Sequence, residues 1–212
     1  ATVPQGASVS SAYVNGVTQG VTGSVPDAEN TAVSLDGVND YVSLGTGVDP
    51  ASYSGSGYSF EVWVKFDAPS APPGTVEGIF TRYAPDLSDG LLFYRTDTGL
   101  LLFGSKKDSG QFTFTTAPGP VSTGVWHQFV GTLSGGTITL YVDGTPYSAT
   151  WSPNVFPTLA SGASMRFGEY PGGAKYLAGD IDSFAVYPKA LSQCEVNRHR
   201  SIGTTQTAAP AC

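Results

Sequence analysis

From Tyr58 to Phe66 apolar and polar side chains alternate, placing Tyr58, Phe60, Val62, Val64 and Phe66 on one face of an extended chain and Ser59, Glu61, Trp63 and Lys65 on the other. A period of two predicts a strand covered on one side only. The same signal recurs along the chain. Val33 and Leu35, then Tyr41–Leu44, flank the turn Asp36-Gly37-Val38-Asn39-Asp40. Further strands are predicted at Gly78–Tyr83, Leu91–Arg95, Leu100–Gly104 and Gln111–Thr116. Trp126–Leu133 and Thr137–Val142, joined through Ser134-Gly135-Gly136, form a hairpin, and Asp143-Gly144 turns the chain into Pro146–Trp151. Ser164–Gly168 and Asp180–Tyr187 complete the set. Helix is predicted only at Ser192–Ser201, one turn or two long, where Ser192 and Glu195 have capping-box spacing.

Roughly a dozen strands with turn signals between them and almost no helix predict an all-β antiparallel sandwich or barrel. No second core and no linker divides residues 31–212, so a single domain is expected there. Residues 1–30, rich in Gly, Ser, Val and Thr, read as an N-terminal arm or edge strand of the same domain.

Composition supports a packed core rather than a disordered chain: 40% of the 212 residues are apolar and 12% aromatic. Charged residues make up 13%, well under the usual ~25%. The net charge of −7, with only ten scattered Lys and Arg, leaves no basic stripe to neutralise phosphates. That argues against nucleic acid and against an anionic membrane surface, and no apolar run is long enough for membrane insertion. An acidic surface suits neutral glycans and Ca²⁺. Cys194 and Cys212 are expected to pair, closing a loop around the small polar tail Ser201–Ala211, a link the chain-entropy account values at about 3 kcal/mol. A disulfide implies an oxidising compartment, hence a secreted or cell-surface location.

Several segments, in order, resemble laminin-G-like and concanavalin-A-like jelly rolls. Leu35-Asp36-Gly37-Val38-Asn39-Asp40-Tyr41-Val42 and Tyr58–Val64 are similar to the family's opening strands. Trp126–Thr132 with Leu140-Tyr141-Val142-Asp143-Gly144 is similar to its central hairpin, and Gly179–Tyr187 with Ala190-Leu191-Ser192 to its closing strand and short terminal helix. The resemblance spans about Val33 to Val196 and implies an antiparallel β-sandwich of jelly-roll type with one short C-terminal helix. It does not select a function, because lectins, protein-binding adhesion modules and accessory domains of enzymes share the fold.

The resemblance also implies one calcium site where the first turn meets the last strand, with Asp36, Asn39, Asp40, Asp180 and Asp182 as its ligands; hard oxygens are what Ca²⁺ takes. The competing reading is that Asp36 and Asp40 bond turn amides. A glycan site needs aromatic faces with polar partners, and the candidates are Tyr83, Tyr94, Trp151, Tyr170 and Tyr176 with Arg82 and Arg95 as donors. Each of these aromatics competes with a packing role. Trp126 is assigned to the core, by likeness to a buried family position, and Trp63 fits either covering a sheet or binding.

Catalysis has little support. Only two carboxylate pairs stand two residues apart, Asp27/Glu29 in the N-terminal arm and Asp180/Asp182, and the latter is already a metal candidate. His127 reads as structural, while His199, between Arg198 and Arg200, reads as exposed. The function expected is an extracellular carbohydrate-binding, lectin-like module with calcium as its candidate cofactor. Its partner would be a glycan or cell-surface glycoprotein, and the chain could be one piece of a larger multidomain protein. A protein-binding adhesion module is the alternative, and a polysaccharide-degrading enzyme the third.

Overall fold

The computed structural model describes residues 11–25, 30–46, 57–67, 74–83, 90–107, 111–150, 163–172, 175–205 and 212. In chain order these contain β1 (Ala12–Val14), β2 (Thr18–Thr22), β3 (Thr31–Asp36), β4 (Tyr41–Gly45), β5 (Tyr58–Phe66), β6 (Val76–Tyr83), β7 (Gly90–Thr96), β8 (Leu101–Lys107), β9 (Gln111–Ala117), β10 (Trp126–Ser134), β11 (Thr137–Val142), β12 (Thr145–Thr150), β13 (Ser164–Phe167), β14 (Ala178–Tyr187) and α1 (Gln193–Thr205). Two seven-stranded antiparallel sheets stack face to face. One runs β1-β4-β13-β6-β7-β8-β9 and the other β12-β11-β10-β5-β14-β3-β2. This is the expected jelly-roll sandwich. The N-terminal segment supplies an edge strand to each sheet.

The apolar half of each alternating strand meets between the sheets. Phe60, Phe80, Phe167 and Phe184 form one ring cluster, with Phe167 and Phe184 centroids 4.5 Å apart. Phe66, Phe93, Phe103 and Phe129 form another, with Phe93 and Phe129 at 5.2 Å. Register shifts interrupt four of the strand pairings among the described residues, and two of them bear on the outer faces. In β6 the register shifts between Gly78 and Phe80, and in β14 between Asp182 and Ala185, where Ser183 adopts φ +47°.

Two expectations, for β5 and Trp126, need correction, and the open choice at Trp63 is decided. β5 is buried on both faces, because α1 lies across the outer side of its sheet. Trp63 is only 4% exposed, and a Cβ added to Gly203 of α1 would sit 2.3 Å from the indole, so Trp63 is the floor under the helix. Trp126, expected in the core, is half-buried on the outer face, where it pairs with Lys65 and has the ammonium 5.4 Å from its ring. The strand's alternation sends His127 inward and Trp126 outward.

The helix is longer than expected, at thirteen residues, and its capping box is formed. Glu195 Oε2 accepts from Ser192 N at 2.8 Å, and Glu195 N donates to Ser192 Oγ at 3.3 Å. Leu191 and Val196 pack on Val130, and the Cys194–Cys212 disulfide ties the chain end to the first turn. Among the described residues no helix is long and apolar enough to cross a membrane.

Candidate functional site

On the outer face of the β1–β9 sheet, away from the helix, aromatic side chains gather over strand positions that lack side chains. The bulge at Ile79 turns Gly78 to the outer face opposite Tyr94. With no Cβ there, the loop after β13 presses onto the sheet: a Cβ on Gly78 would lie 2.3 Å from Tyr170 N. That contact brings the Tyr170 ring edge-on to Tyr94, 5.4 Å between centroids. Gly90 and Gly104 do the same for their cross-strand partners, since added Cβ atoms would meet Tyr83 Cδ2 at 2.8 Å and Phe114 Cδ1 at 2.4 Å. Phe114 in turn stands edge-on to Tyr94 at 5.8 Å. The result is a patch of half-buried rings, Phe114, Tyr94, Tyr170 and Tyr83, over fully buried Leu92.

The chemistry of the patch is neutral and hydrogen-bonding. Burial pushes all three phenols above their ordinary pKa, Tyr94 to about 12, and the nearby Tyr170 and Tyr94 add to the shift at Tyr83. The hydroxyls therefore stay protonated and can both donate and accept. Lys175 places its ammonium 4.8 Å from the Tyr170 ring centroid, and Tyr170 N donates to Lys175 O at 3.0 Å. Tyr176 bridges Glu169 at the base of the same loop, and the Glu169 carboxylate is held by Arg166 at 2.6 Å.

Arg82 and Arg95, expected as donors beside these tyrosines, lie on the opposite face of the strands. Each is 1% exposed. Neighbours along a strand point to opposite sides, so a tyrosine outside puts the adjacent arginine inside. Arg95 is paired with Glu77, itself 1% exposed, and covers the Phe66 ring at 4.3 Å. Trp151 lies outside the described residues.

The candidate calcium ligands separate into local networks. Asp36 Oδ1 accepts from Val38 N at 2.8 Å, and Asp40, 2% exposed, accepts from Gly16 N at 2.7 Å and Asp36 N at 3.3 Å. Asn39 offers its carbonyl to Asn15 at 2.6 Å. Asp180 pairs with Lys65 at 2.5 Å, while Asp182 Oδ2 accepts from Ser24 N, Ser24 Oγ and Asn30 Nδ2 at 2.8–2.9 Å. Among the described residues no three acidic, His or Cys groups stand together to hold a metal ion. The donors present do not fit one Ca²⁺ sphere.

Two polar clusters went unread in the sequence. His199 is half-buried rather than exposed: its Nδ1 and the Tyr187 hydroxyl both bond Glu61 Oε2 at 2.8 Å, and Gln128 Nε2 donates to Oε1 at 2.6 Å. Only the final fold reveals this, because the partners come from α1, β14, β5 and β10. The second is Ser122–His127–Asp143, with Oγ to Nε2 at 3.0 Å and Nδ1 to Oδ2 at 2.6 Å. Those distances match a charge-relay row, yet His127 Nε2 also faces the carbonyl of Ser122 at 3.1 Å. A bond to that carbonyl needs a proton on Nε2, the opposite of a general base. Asp143 meanwhile accepts from Gln128 N at 3.0 Å, so the row clamps the loop to the hairpin turn.

Comparison with known proteins agrees with the architecture. The model of a family described as the concanavalin A-like lectin/glucanases superfamily matches residues 36–197. No curated protein matches the sequence. Domain 4 of AbnA, an extracellular GH43 arabinanase from Geobacillus stearothermophilus solved with arabinotriose, aligns at 20% identity and TM-score 0.63, covering 86% of this chain and 80% of that one. The binding domain of botulinum neurotoxin serotype D aligns at 15% identity and TM-score 0.70, covering 92% of this chain and 47% of that one. A heptameric SAP-like pentraxin from Limulus polyphemus aligns at 17% identity and TM-score 0.52, covering 72% and 73%. At these identities the likeness is one of fold.

Proposed function

We propose, from the premise that this chain belongs to the concanavalin A-like lectin/glucanase superfamily, that it is a carbohydrate-binding module holding a glycan against the tyrosine patch of the β1–β9 sheet. The observation that carries the reading is the grouping of Tyr83, Tyr94 and Tyr170 on one outer face, set into place by glycines. Half-buried rings bearing protonated hydroxyls offer apolar faces to sugar C–H groups and bonding partners to sugar hydroxyls. A flat protein-binding face would not need its backbone bared to seat rings. The solved arabinanase domain with arabinotriose supports a sugar ligand on this fold.

The carboxylates support a binding rather than a degrading role. Glycoside hydrolysis takes two of them flanking one bond, and Glu169, beside the patch, is committed to Arg166. The disulfide supports an extracellular setting. A glycan array run with calcium and with chelator tests the proposal. Specific binding in both conditions, weakened at least about tenfold by Tyr94→Ala in a variant that stays folded at the assay temperature, is the expected result. A blank array, or binding indifferent to Tyr94→Ala and Tyr83→Ala alike, refutes it.

A further inference from the structure

On the other outer face of the sandwich, a cleft of about 340 Å³ opens between α1 and the β5–β14 surface. Its walls include Glu61, Trp63, Phe184, Tyr187, His199 and Ile202. The volume falls in the range of small-molecule sites. The β14 bulge borders it, with Ser183 held at φ +47°, and residues kept in sparsely populated conformations concentrate at functional sites.

The cleft's chemistry turns on one nitrogen. Glu61 is 5% exposed, and its Oε2 is 2.8 Å from His199 Nδ1. An ionised carboxylate only accepts, so Nδ1 keeps its proton in every state of the ring. Titration of His199 therefore happens at Nε2, which makes no hydrogen bond to any described residue. Below the His199 pKa, Nε2 donates; above it, Nε2 accepts. The charged and titratable groups acting on the ring are Glu61 from β5, Tyr187 from β14, and Glu195 and Arg198 on α1 itself.

We propose that this cleft binds a neutral, hydroxyl-bearing small molecule of about monosaccharide size, with one hydroxyl on His199 Nε2 and its apolar side against Ile202 and the accessible edge of Trp63. A hydroxyl serves Nε2 in both states, because it can accept or donate. An anion would serve only the protonated state and would face the Glu61 charge behind the ring. A cation would be repelled by the imidazolium and so would serve only the neutral ring. The site is separate from the tyrosine patch and does not depend on it.

With two histidines and three tryptophans in the chain, side-chain NMR resolves the reporters. Galactose, xylose, glycerol and, as the charged contrast, glucuronate are titrated at about pH 5 and about pH 9, on either side of the ordinary His range. A saturable shift of the His199 and Trp63 ring signals with a neutral sugar or polyol at both pH values, lost in Ile202→Trp, is the expected result. Ile202 is 43% exposed, so the larger ring fills the cleft mouth without disturbing the core. A response to glucuronate alone, confined to acid pH, overturns the ligand class. No saturable shift with any of the four overturns the site, leaving a cleft that holds only water.

Discussion

Replacing Arg95 tests whether the interior is assembled as described. Arg95 donates from Nε to Glu77 Oε2 at 2.7 Å and from Nη1 to Asp67 O at 3.4 Å, with both partners of the ion pair 1% exposed. Arg95→Met keeps the apolar stem but takes the guanidinium away from the enclosed Glu77 carboxylate, and breaking a buried pair by removing one member costs about 3–5 kcal/mol. For a domain this size, each kcal/mol moves the melting temperature by about 2–4 °C, so a fall of roughly 6–20 °C is expected. Glu77→Leu alone strands the guanidinium and costs a similar amount. The double variant removes both charges, and its loss falls short of the sum of the singles by about 1–3 kcal/mol. Urea denaturation of the four proteins closes the cycle. Single losses below about 1 kcal/mol, or strict additivity, would refute a buried, mutually dependent pair and return Arg95 to the surface as a candidate sugar donor.

Three further outcomes follow from the geometry. The hydrogen bond to Glu61 raises the His199 pKa above its ordinary value, so its stabilisation is complete below about 6.5 and fades as pH rises through the raised value; the stability gap between parent and His199→Gln should narrow in that direction, and a gap widening with pH contradicts the pairing. Gly203→Ala gains about 1 kcal/mol of helix propensity but drives a methyl into Trp63, costing about 1–3 kcal/mol; a net rise in thermal stability would show that α1 does not rest on the indole. Chelator should leave the melting temperature unchanged, since Asp36, Asp40, Asp180 and Asp182 are bonded within the protein; a marked drop would reveal a structural cation.

The interior strands were readable because a period of two survives in any sheet with one buried face. β5 shows the limit of that reading. Its polar face carries Glu61 and Trp63, and nothing local says that a helix over 130 residues away covers them. α1 was underestimated because its apolar content is sparse. It is held by Leu191, Val196, the Glu61 network and a cross-link rather than by a broad apolar stripe. Within the candidate site the tyrosines were picked by residue type. Their grouping depends on glycines at positions 78, 90 and 104, whose role appears only once the cross-strand neighbours are known. The arginines were misplaced by treating sequence neighbours as sharing a face, when strand geometry puts them on opposite ones. The five proposed metal ligands gave an acceptable oxygen inventory, but an inventory omits competing donors such as Lys65 and the Ser24 amide.

The family match begins at residue 36, yet β1, β2 and nearly all of β3 lie before it. Trimming to that boundary would strip β14 of β3, and β4 of β1, in one cut. Each sheet would then present a raw row of amide and carbonyl groups, a template on which further copies could add strand by strand. The weakly patterned N-terminal segment is therefore a pair of selvedges, one per sheet, and a fragment lacking it should polymerise before it shows any failure to fold.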